Sequence, residues 1–526
     1  MTNDAIPIRP ISPSAAGDGP VWILGAYDVL LPPACTELLS MVIRVEAACQ
    51  PVPSRGLSAA AVHWDRARVE RAEANSWGTP TVSLQSAVSR ITNEPAPVIV
   101  SLGYSCAFEI FRLLGREVYW ISIDGRGATD RSAVWMSWLS SQTSFVVMVT
   151  RVTDAGPEEF ARREFRHTLP TPALGHWQAL RGSAIFIDAV CADQRARVVA
   201  AASVPVSPRR NLFAPDGPVG RQPSTGKVLR RILHNRIRGR LRPTGPDRWA
   251  IGIAPRGKDL TRLPQPPQPA ECHWMEYRGS GFVADPFLME FGERTLLFFE
   301  ELDYSNWRGR LKSIVLDREG RAEGPPTIVL EKPYHLSFPN VFRCADDPTG
   351  IYLLPEQGAA GCTALYRAGG PVDNEPLAFA LHATLLDDFP GVDPVLHWSD
   401  PYWWLFVTNG SHGNHDNNLH LFMARALRGP YIEHPSSPIR LGLRGSRMAG
   451  QLLTHDGGLF RVGQNCQRRY GEKIIMFRIE ELTAVGYRET EIHEFGCDTW
   501  GPKFAGIHSL SFTSSFVAID VLFDDR

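Results

Sequence analysis

The side chains of this chain best suited to chemistry are carboxylates that recur at matching points of a strand pattern. Asp285 stands at the entry of an apolar run, F-V-A-D-P-F-L-M-E-F, which turns at Gly292 and returns as T-L-L-F-F-E-E with Glu300 near its exit. Asp393 opens another such run, V-D-P-V-L-H-W, and Glu356 closes the return strand I-Y-L-L-P-E. The entry of one hairpin strand and the exit of the next lie at the same end, so the four carboxylates are expected to converge on one opening. Paired carboxyl groups are what glycoside chemistry needs: one protonates the leaving oxygen while the other attacks or activates water. Crowding raises at least one pKa by like-charge repulsion, which leaves a usable acid. The competing reading is structural. Proline lacks an N–H and suits the first position of a strand, so Asp-Pro marks a repeated turn and each Glu accepts backbone hydrogen bonds at a strand end.

Other polar residues cluster around these. His412, His415 and Asp416 follow the third hairpin and hang over the same opening. Their spacing fits no standard closed metal site, and a polar loop reads the same way, so no metal is assigned. His335 and His508 are placed as sugar-binding or core histidines, and Trp307 as a rim aromatic able to stack on a pyranose face. Arg447, Arg468 and Arg469 can pair with a phosphate or a carboxylate. Trp403 and Trp404 alternate along a strand and read as packing.

The elements that carry these residues repeat. After the hairpin of Asp285, similar starts occur at Phe338, Val392, Ala449 and Ala505, spaced by about 55 residues, a period that belongs to blades of a β-propeller. The fifth copy has room for two strands only, so Arg248 to Ile253 is expected to supply its missing outer strand and close a ring of five blades. Upstream, strands at Val21–Leu24, Val98–Leu102, Val118–Ile123, Phe145–Val149 and Ala184–Val190 are expected to alternate with helices at Cys35–Val45 and Cys106–Leu114. That alternation predicts an α/β domain with a largely parallel sheet. Between the two lies G-K-V-L-R-R-I-L-H-N-R-I-R-G-R-L-R, residues 226–242, a basic amphipathic helix. It reads either as a linker helix docked by its apolar face or as a peripheral contact to an anionic membrane. The expected organisation is a frayed tail over 1–19, the α/β domain over 20–205, the linker over 206–245 and the propeller over 246–526.

Composition narrows the partners. The net charge of -1 favours neither nucleic acid nor an acidic surface as partner of the whole protein. Nine cysteines, an odd number without close pairs, form neither a disulfide framework nor a zinc spacing and read as reduced thiols. The first residues lack a charged segment followed by an apolar run, and no apolar window reaches membrane-span length, so a cytoplasmic location is expected. The α/β part has no P-loop, no G-x-G-x-x-G and no G-x-S-x-G, and no cofactor is expected.

The stretches A-D-P-F at Ala284, F-F-E-E-L at Phe298, H-L-S-F-P at His335, L-P-E at Leu354 and R-M-A-G at Arg447 resemble the N-terminal domain of plant glucosamine inositolphosphorylceramide transferases and their bacterial relatives. That domain is in turn similar to the five-bladed fold of arabinanases, xylosidases and invertases. The resemblance implies that Asp285 is base or nucleophile and that Asp393 tunes or orients. The acid of the arabinanase-like group comes from a later blade, where this chain has Ala449, Gly450 and Gln451, and Glu356 is the nearest substitute. A bacterial source is expected, because in bacterial relatives the propeller follows a domain resembling formyltransferases. V-Y-W-I-S-I-D-G at Val118 looks like the strand that carries an Asn-x-His segment in that family, with Trp120, Ser122 and Ile123 in its place. This implies a Rossmann-like, formyltransferase-like fold without its folate chemistry. Three functions follow: glycosyl hydrolysis or transfer at the propeller mouth on a glycan, glycolipid or nucleotide sugar; a non-catalytic sugar-binding scaffold serving a glycosyltransferase; or a transferase centred on the N-terminal domain.

Overall fold

A computed structural model describes eight strands within residues 1–247, and residues 248–523 apart from 258–262, 278–279, 293, 345–346, 370–376 and 411–414. The chain divides into two compact units, chiefly Arg9–Pro243 and Thr244–Arg526.

In the first unit the strands are ordered Thr81–Ser83, Met41–Glu46, Val21–Gly25, Val98–Ser101, Val118–Ile123, Ser144–Thr153, Gly156–Arg166. The first five run parallel and the last two antiparallel. The expected largely parallel sheet is present. The helix expected over Cys35–Val45 is not: Met41–Glu46, M-V-I-R-V-E, is a strand paired to Val21–Gly25. Its valines and isoleucine are stiff at χ1 and suit a pleated surface, a local preference that outweighs the apparent helical period. The segments Cys106–Leu114, Ala184–Val190 and 226–242 lie outside the described residues. No helix among the described residues is long and apolar enough to cross a membrane.

The second unit is all-β: five antiparallel sheets, each a meander of four principal strands. Blade 1 spans Gly281–Phe291, Arg294–Asp303, Arg308–Leu316 and Ala322–Leu330. Blade 2 begins with Ser337–Cys344 and Asp347–Glu356, blade 3 with Gly391–Ser399 and Tyr402–Asn409. Blade 4 is built on Arg444–Met448, Gly458–Asn465, Lys473–Leu482 and Tyr487–Gly496. Blade 5 starts with Phe504–Phe512 and Phe516–Phe523, and Arg248–Pro255 then pairs with Phe516–Phe523 along its whole length, Leu522 opposite Trp249 and Phe516 opposite Pro255. His273–Met275 forms the outermost strand of that sheet. Strands from the two ends of the unit thus share one blade, as the repeat predicts, and close a five-bladed propeller.

The blades pack through their apolar faces. Phe287, Phe298, Phe338, Val395, Trp404 and Phe406 are fully buried in one cluster running through successive blades. First strands are also tied across blade boundaries: Leu396 N donates to Asn340 Oδ1 at 3.2 Å, Leu288 N to Ser511 Oγ at 2.8 Å, and Leu510 N to Ala449 O at 2.8 Å. These bonds satisfy inner-strand donors that have no ladder partner on the funnel side, and they fix the rim on which the acidic residues stand.

Candidate active site

In blades 1, 2, 3 and 5 the first strand breaks its register at the same place. The irregularity falls between Ala284 and Phe287, Ser337 and Asn340, Val392 and Val395, and Ile507 and Leu510. In blades 1 to 3 the bulged residue is left-handed and precedes proline: Asp285 at φ 52°, Phe338 at 46°, Asp393 at 47°. Asp285 and Asp393 therefore do not start their strands, as the Asp-Pro pattern suggested; they sit inside them at bulges, the other place a sheet accepts proline. Aspartate tolerates this region better than most residues. The bulge re-aims its side chain out of the pleat, and the strained backbone is held because each neighbouring blade bonds to it.

Asp285 meets the fifth blade. Its Oδ1 accepts from Ser509 Oγ at 3.0 Å and lies 3.4 Å from His508 Nε2, and its Oδ2 accepts from Phe338 N at 3.0 Å. Asp520, fully buried, accepts from the backbone N–H groups of Asp285, His508 and Ser509, and its Oδ2 is 2.7 Å from His508 Nδ1. Burial pushes the Asp285 carboxyl up to about 6, against the pull of His508 and with the help of Asp520 and Asp393. Burial alone would lower His508, but Asp520 and Asp285 outweigh it and the imidazole is raised. Trp249, from the closing strand, lies against that imidazole with ring centroids 4.2 Å apart.

Asp393 meets the fourth blade. Arg447 grips it with two nitrogens, Nε to Oδ2 at 2.5 Å and Nη2 to Oδ1 at 3.3 Å, and Gln464 Nε2 donates to Oδ2 at 3.1 Å. The same guanidinium reaches Glu356 Oε2 at 3.3 Å and Asp416 Oδ1 at 3.4 Å, and lies 4.8 Å from the Tyr470 ring centroid. Burial lifts Asp393 to about 7 although Arg447 pulls the other way. Arg447 itself is held above its ordinary value, because Asp393, Tyr470 and Glu356 outweigh the cost of burying it. The two-pronged contact is the geometry of an ionised carboxylate, and of the two partners it is Asp393 that lies close to titration at neutral pH.

Glu300 stands apart from both groups. It pairs in register with Ala284, beside the first bulge, and is 4% exposed. Its Oε1 is buried without a hydrogen-bond partner, 3.5 Å from His335 Nε2. Burial, then Asp285, Glu356, Asp520 and Asp393, hold its carboxyl well above the usual carboxylate range. Of the acidic residues at this mouth, Glu300 is the one arranged as a neutral acid. Glu356 is not: it accepts from Arg447 and from Asp393 N at 3.3 Å, the arrangement of an acceptor.

Asp285 and His508 thus come together, as do Asp393, Glu356 and Arg447, and as do Glu300 and His335. Trp307 is 66% exposed in the turn after Asp303, on the mouth side of blade 1, its ring 4.9 Å from that of Tyr304. His412 lies outside the described residues, and Asp416 is engaged by Arg447, which removes it from a metal loop. Arg468 pairs with Glu472, and Arg469 donates to Ala505 O, so neither joins the cluster. Trp403 and Trp404 are buried packing, as expected. Asp285, His508 and Asp520 bring three potential ligand atoms within 4.8 Å of one another, but those atoms already face each other. Sequence reasoning missed Asp520, Tyr470 and Gln464. Asp520 lies inside the strand Phe516–Phe523, and a charged residue within V-A-I-D-V-L-F was the available signal.

Residues 271–499 match the family described as glucosamine inositolphosphorylceramide transferase 1, N-terminal. Proteins named glucosamine inositolphosphorylceramide transferase 1 from rice (Oryza sativa subsp. japonica) and Arabidopsis thaliana are each 34% identical, over 218 and 217 residues. The matches cover 41% and 40% of this chain and 28% and 27% of those proteins, so the chain spans little more than a quarter of the relatives it matches. They are plant proteins, which runs against the bacterial source expected from the sequence. Among solved structures, the chain is similar to an alpha-L-arabinanase of Cellvibrio cellulosa (15% identity, TM-score 0.30, 40% of this chain and 77% of that one). It is also similar to an alpha-L-arabinofuranosidase from Podospora anserina (10% identity, TM-score 0.33, 47% and 92%).

Proposed function

We propose that the propeller mouth acts on a glycan or glycoconjugate by carboxyl chemistry. The observation that carries this reading is the division of labour among buried acids that act on one another across the blades: Glu300 kept neutral, Asp285 bonded yet near titration, Asp393 held by Arg447. A site that separates the pKa values of neighbouring carboxyl groups has the makings of an acid and a base. Glu300 is the general acid, in place of the Glu356 the sequence suggested. Asp285 is the base or nucleophile, and Asp393, Glu356 and Arg447 orient the substrate or tune the field. Trp307 offers a stacking face at the rim. The family match supports a carbohydrate-related role, and nothing in it reaches the N-terminal sheet, whose formyltransferase likeness and transferase role gain no support.

A second reading has an observation of its own. Asp285, Asp393 and Asp520 are buried and engaged by their neighbours and Glu356 accepts from Arg447, which leaves only Glu300 of this group unengaged; that suits a propeller that binds a sugar and serves a transferase without reacting. Turnover on a panel of 4-nitrophenyl glycosides, measured alongside thermal-shift binding of free sugars and nucleotide sugars, separates the two. Hydrolysis lost in Glu300→Gln and Asp285→Asn supports catalysis. Saturable sugar binding with no turnover in the wild type supports the binding module, and the absence of both turnover and sugar binding overturns the carbohydrate reading.

A further inference from the structure

We propose that His335 is a positioning residue that decides which oxygen of Glu300 carries the proton. The inference rests on the reading of Glu300 as the acid and goes beyond it by assigning the proton to one atom. It begins at Gly309, whose N–H donates to His335 Nδ1 at 2.9 Å. A ring nitrogen that accepts a hydrogen bond carries no proton, so the neutral imidazole must be protonated at Nε2. Nε2 is the atom 3.5 Å from Glu300 Oε1. Two hydrogens cannot share that gap, so the acid proton belongs on Oε2, the other oxygen of the same carboxyl.

The imidazole is held neutral for this task. Burial lowers His335, Asp285 raises it and Arg447 lowers it, with a net depression. The charged groups that act most strongly on Glu300 are Asp285 of its own blade, Glu356, Asp520 and Asp393, all acidic. No cation among these neighbours would hold a carboxylate at Glu300 once its proton has left. The Nε2–H of His335 is the donor in place for that anion, and a hydrogen bond to the charged form strengthens as the charge appears. Gly309 is required by the same geometry: a Cβ there would lie 2.5 Å from Glu300 Oε1, 2.9 Å from His335 Cε1 and 2.3 Å from Leu336 O. The proton balance is simple. Oε2–H breaks, the proton passes to the leaving oxygen, and the carboxylate left behind accepts from His335, which neither gains nor loses a proton.

The test follows the protonated carboxyl stretch in the infrared, assigned by its loss in Glu300→Gln, as pH is raised on the full chain. A donor to the anion lowers the pKa of the acid, so its removal must raise it. In His335→Leu the titration midpoint is expected to move up by about one pH unit, and in His335→Gln, which keeps an N–H near that point, to return toward wild type. If the leucine variant fails to fold, His335→Met replaces it. On an alkyl glycoside that turns over, whose leaving oxygen must be protonated, the alkaline limb of kcat should move with the infrared midpoint while KM is unchanged. An unmoved midpoint, or equal shifts in the leucine and glutamine variants, overturns the positioning role. A shifted midpoint in a protein without turnover leaves the positioning role intact and removes the catalytic one.

Discussion

Arg447 is a buried cation serving three carboxylates, and Arg447→Met tests the electrostatic account of the site most directly. Methionine keeps much of the stem volume and removes the charge. The side chain is 10% exposed, and its partners Asp393 and Asp416 are 2% and 7% exposed, so water cannot replace the lost guanidinium. Breaking a buried pair from one side costs about 3–5 kcal/mol. For a unit of this size each kcal/mol moves Tm by roughly 2–4 °C, so a fall of about 6–20 °C is expected. The pH dependence has a definite sign. Asp285 and Asp393 have native pKa values raised to about 6 and about 7 from 3.8, so the native state binds more protons than the unfolded chain between those limits. Their favourable contribution is fully present below the unfolded value and is lost as pH rises through the folded ones. Without Arg447 the pull that lowers Asp393 is gone and that carboxyl rises further, so the variant's deficit must be larger at pH 8 than at pH 5. Circular dichroism melts of the full chain at the two pH values read this out. Arg444→Met is the control: that arginine is 32% exposed and pairs with Glu491 and Glu494 at the surface, where about 1 kcal/mol or less is at stake. A deficit at Arg447 no larger than the control's, or one independent of pH, would refute the reasoning.

Further expectations are narrower. Glu300→Gln should abolish turnover while leaving Tm within about 1 °C at neutral pH, because a neutral acid is exchanged for a neutral amide of the same shape; a collapse in Tm would make Glu300 structural. Activity should fall on the alkaline side as Glu300 loses its proton, so a rate that climbs steadily with pH would exclude it as the acid. Trp307→Ala should weaken sugar binding with no change in melting, since the ring is largely exposed; unchanged affinity removes it from the rim. Gly457→Ala should cost about 1–2 kcal/mol, measured by urea titration, because Asp456 and Gly457 form a two-residue hairpin turn at φ 46° and 69° between paired His455 and Gly458.

Much of the propeller was legible because each hairpin writes its own pattern locally. Alternation through F-L-M-E-F, the turn at Gly292 and the return through T-L-L-F-F need no information from elsewhere in the chain. The match of Asp393 to Asp285 followed from the same alignment, and so did the pairing of Val392 with Thr408 where Ala284 pairs with Glu300. What the alignment hid was how residues of different blades meet. Arg447 shows no partner until blade 4 is laid beside blade 3, and Asp520 none until the bulge of blade 5 turns His508 toward it. The exchange of roles between Glu300 and Glu356 was hidden for the same reason. Both hold one register position, and only the neighbour differs: a cation for Glu356, a neutral imidazole for Glu300. Met41–Glu46 failed differently, a short apolar run whose branched side chains should have decided for a strand.

The closing blade gives the protein a sense of time. Arg256 donates to Thr513 O, partners 257 residues apart in sequence, so the strand that ends at Pro255 leaves the ribosome long before anything exists to receive it. Its Trp249 then presses on His508, and the strand that captures it carries Asp520. A nascent chain with four finished blades has Asp285 in place and none of its three partners from the fifth, His508, Ser509 and Asp520. The last strand of the propeller to be made is both the clasp of the ring and a wall of the site, so assembly and chemical competence of the propeller arrive in one step.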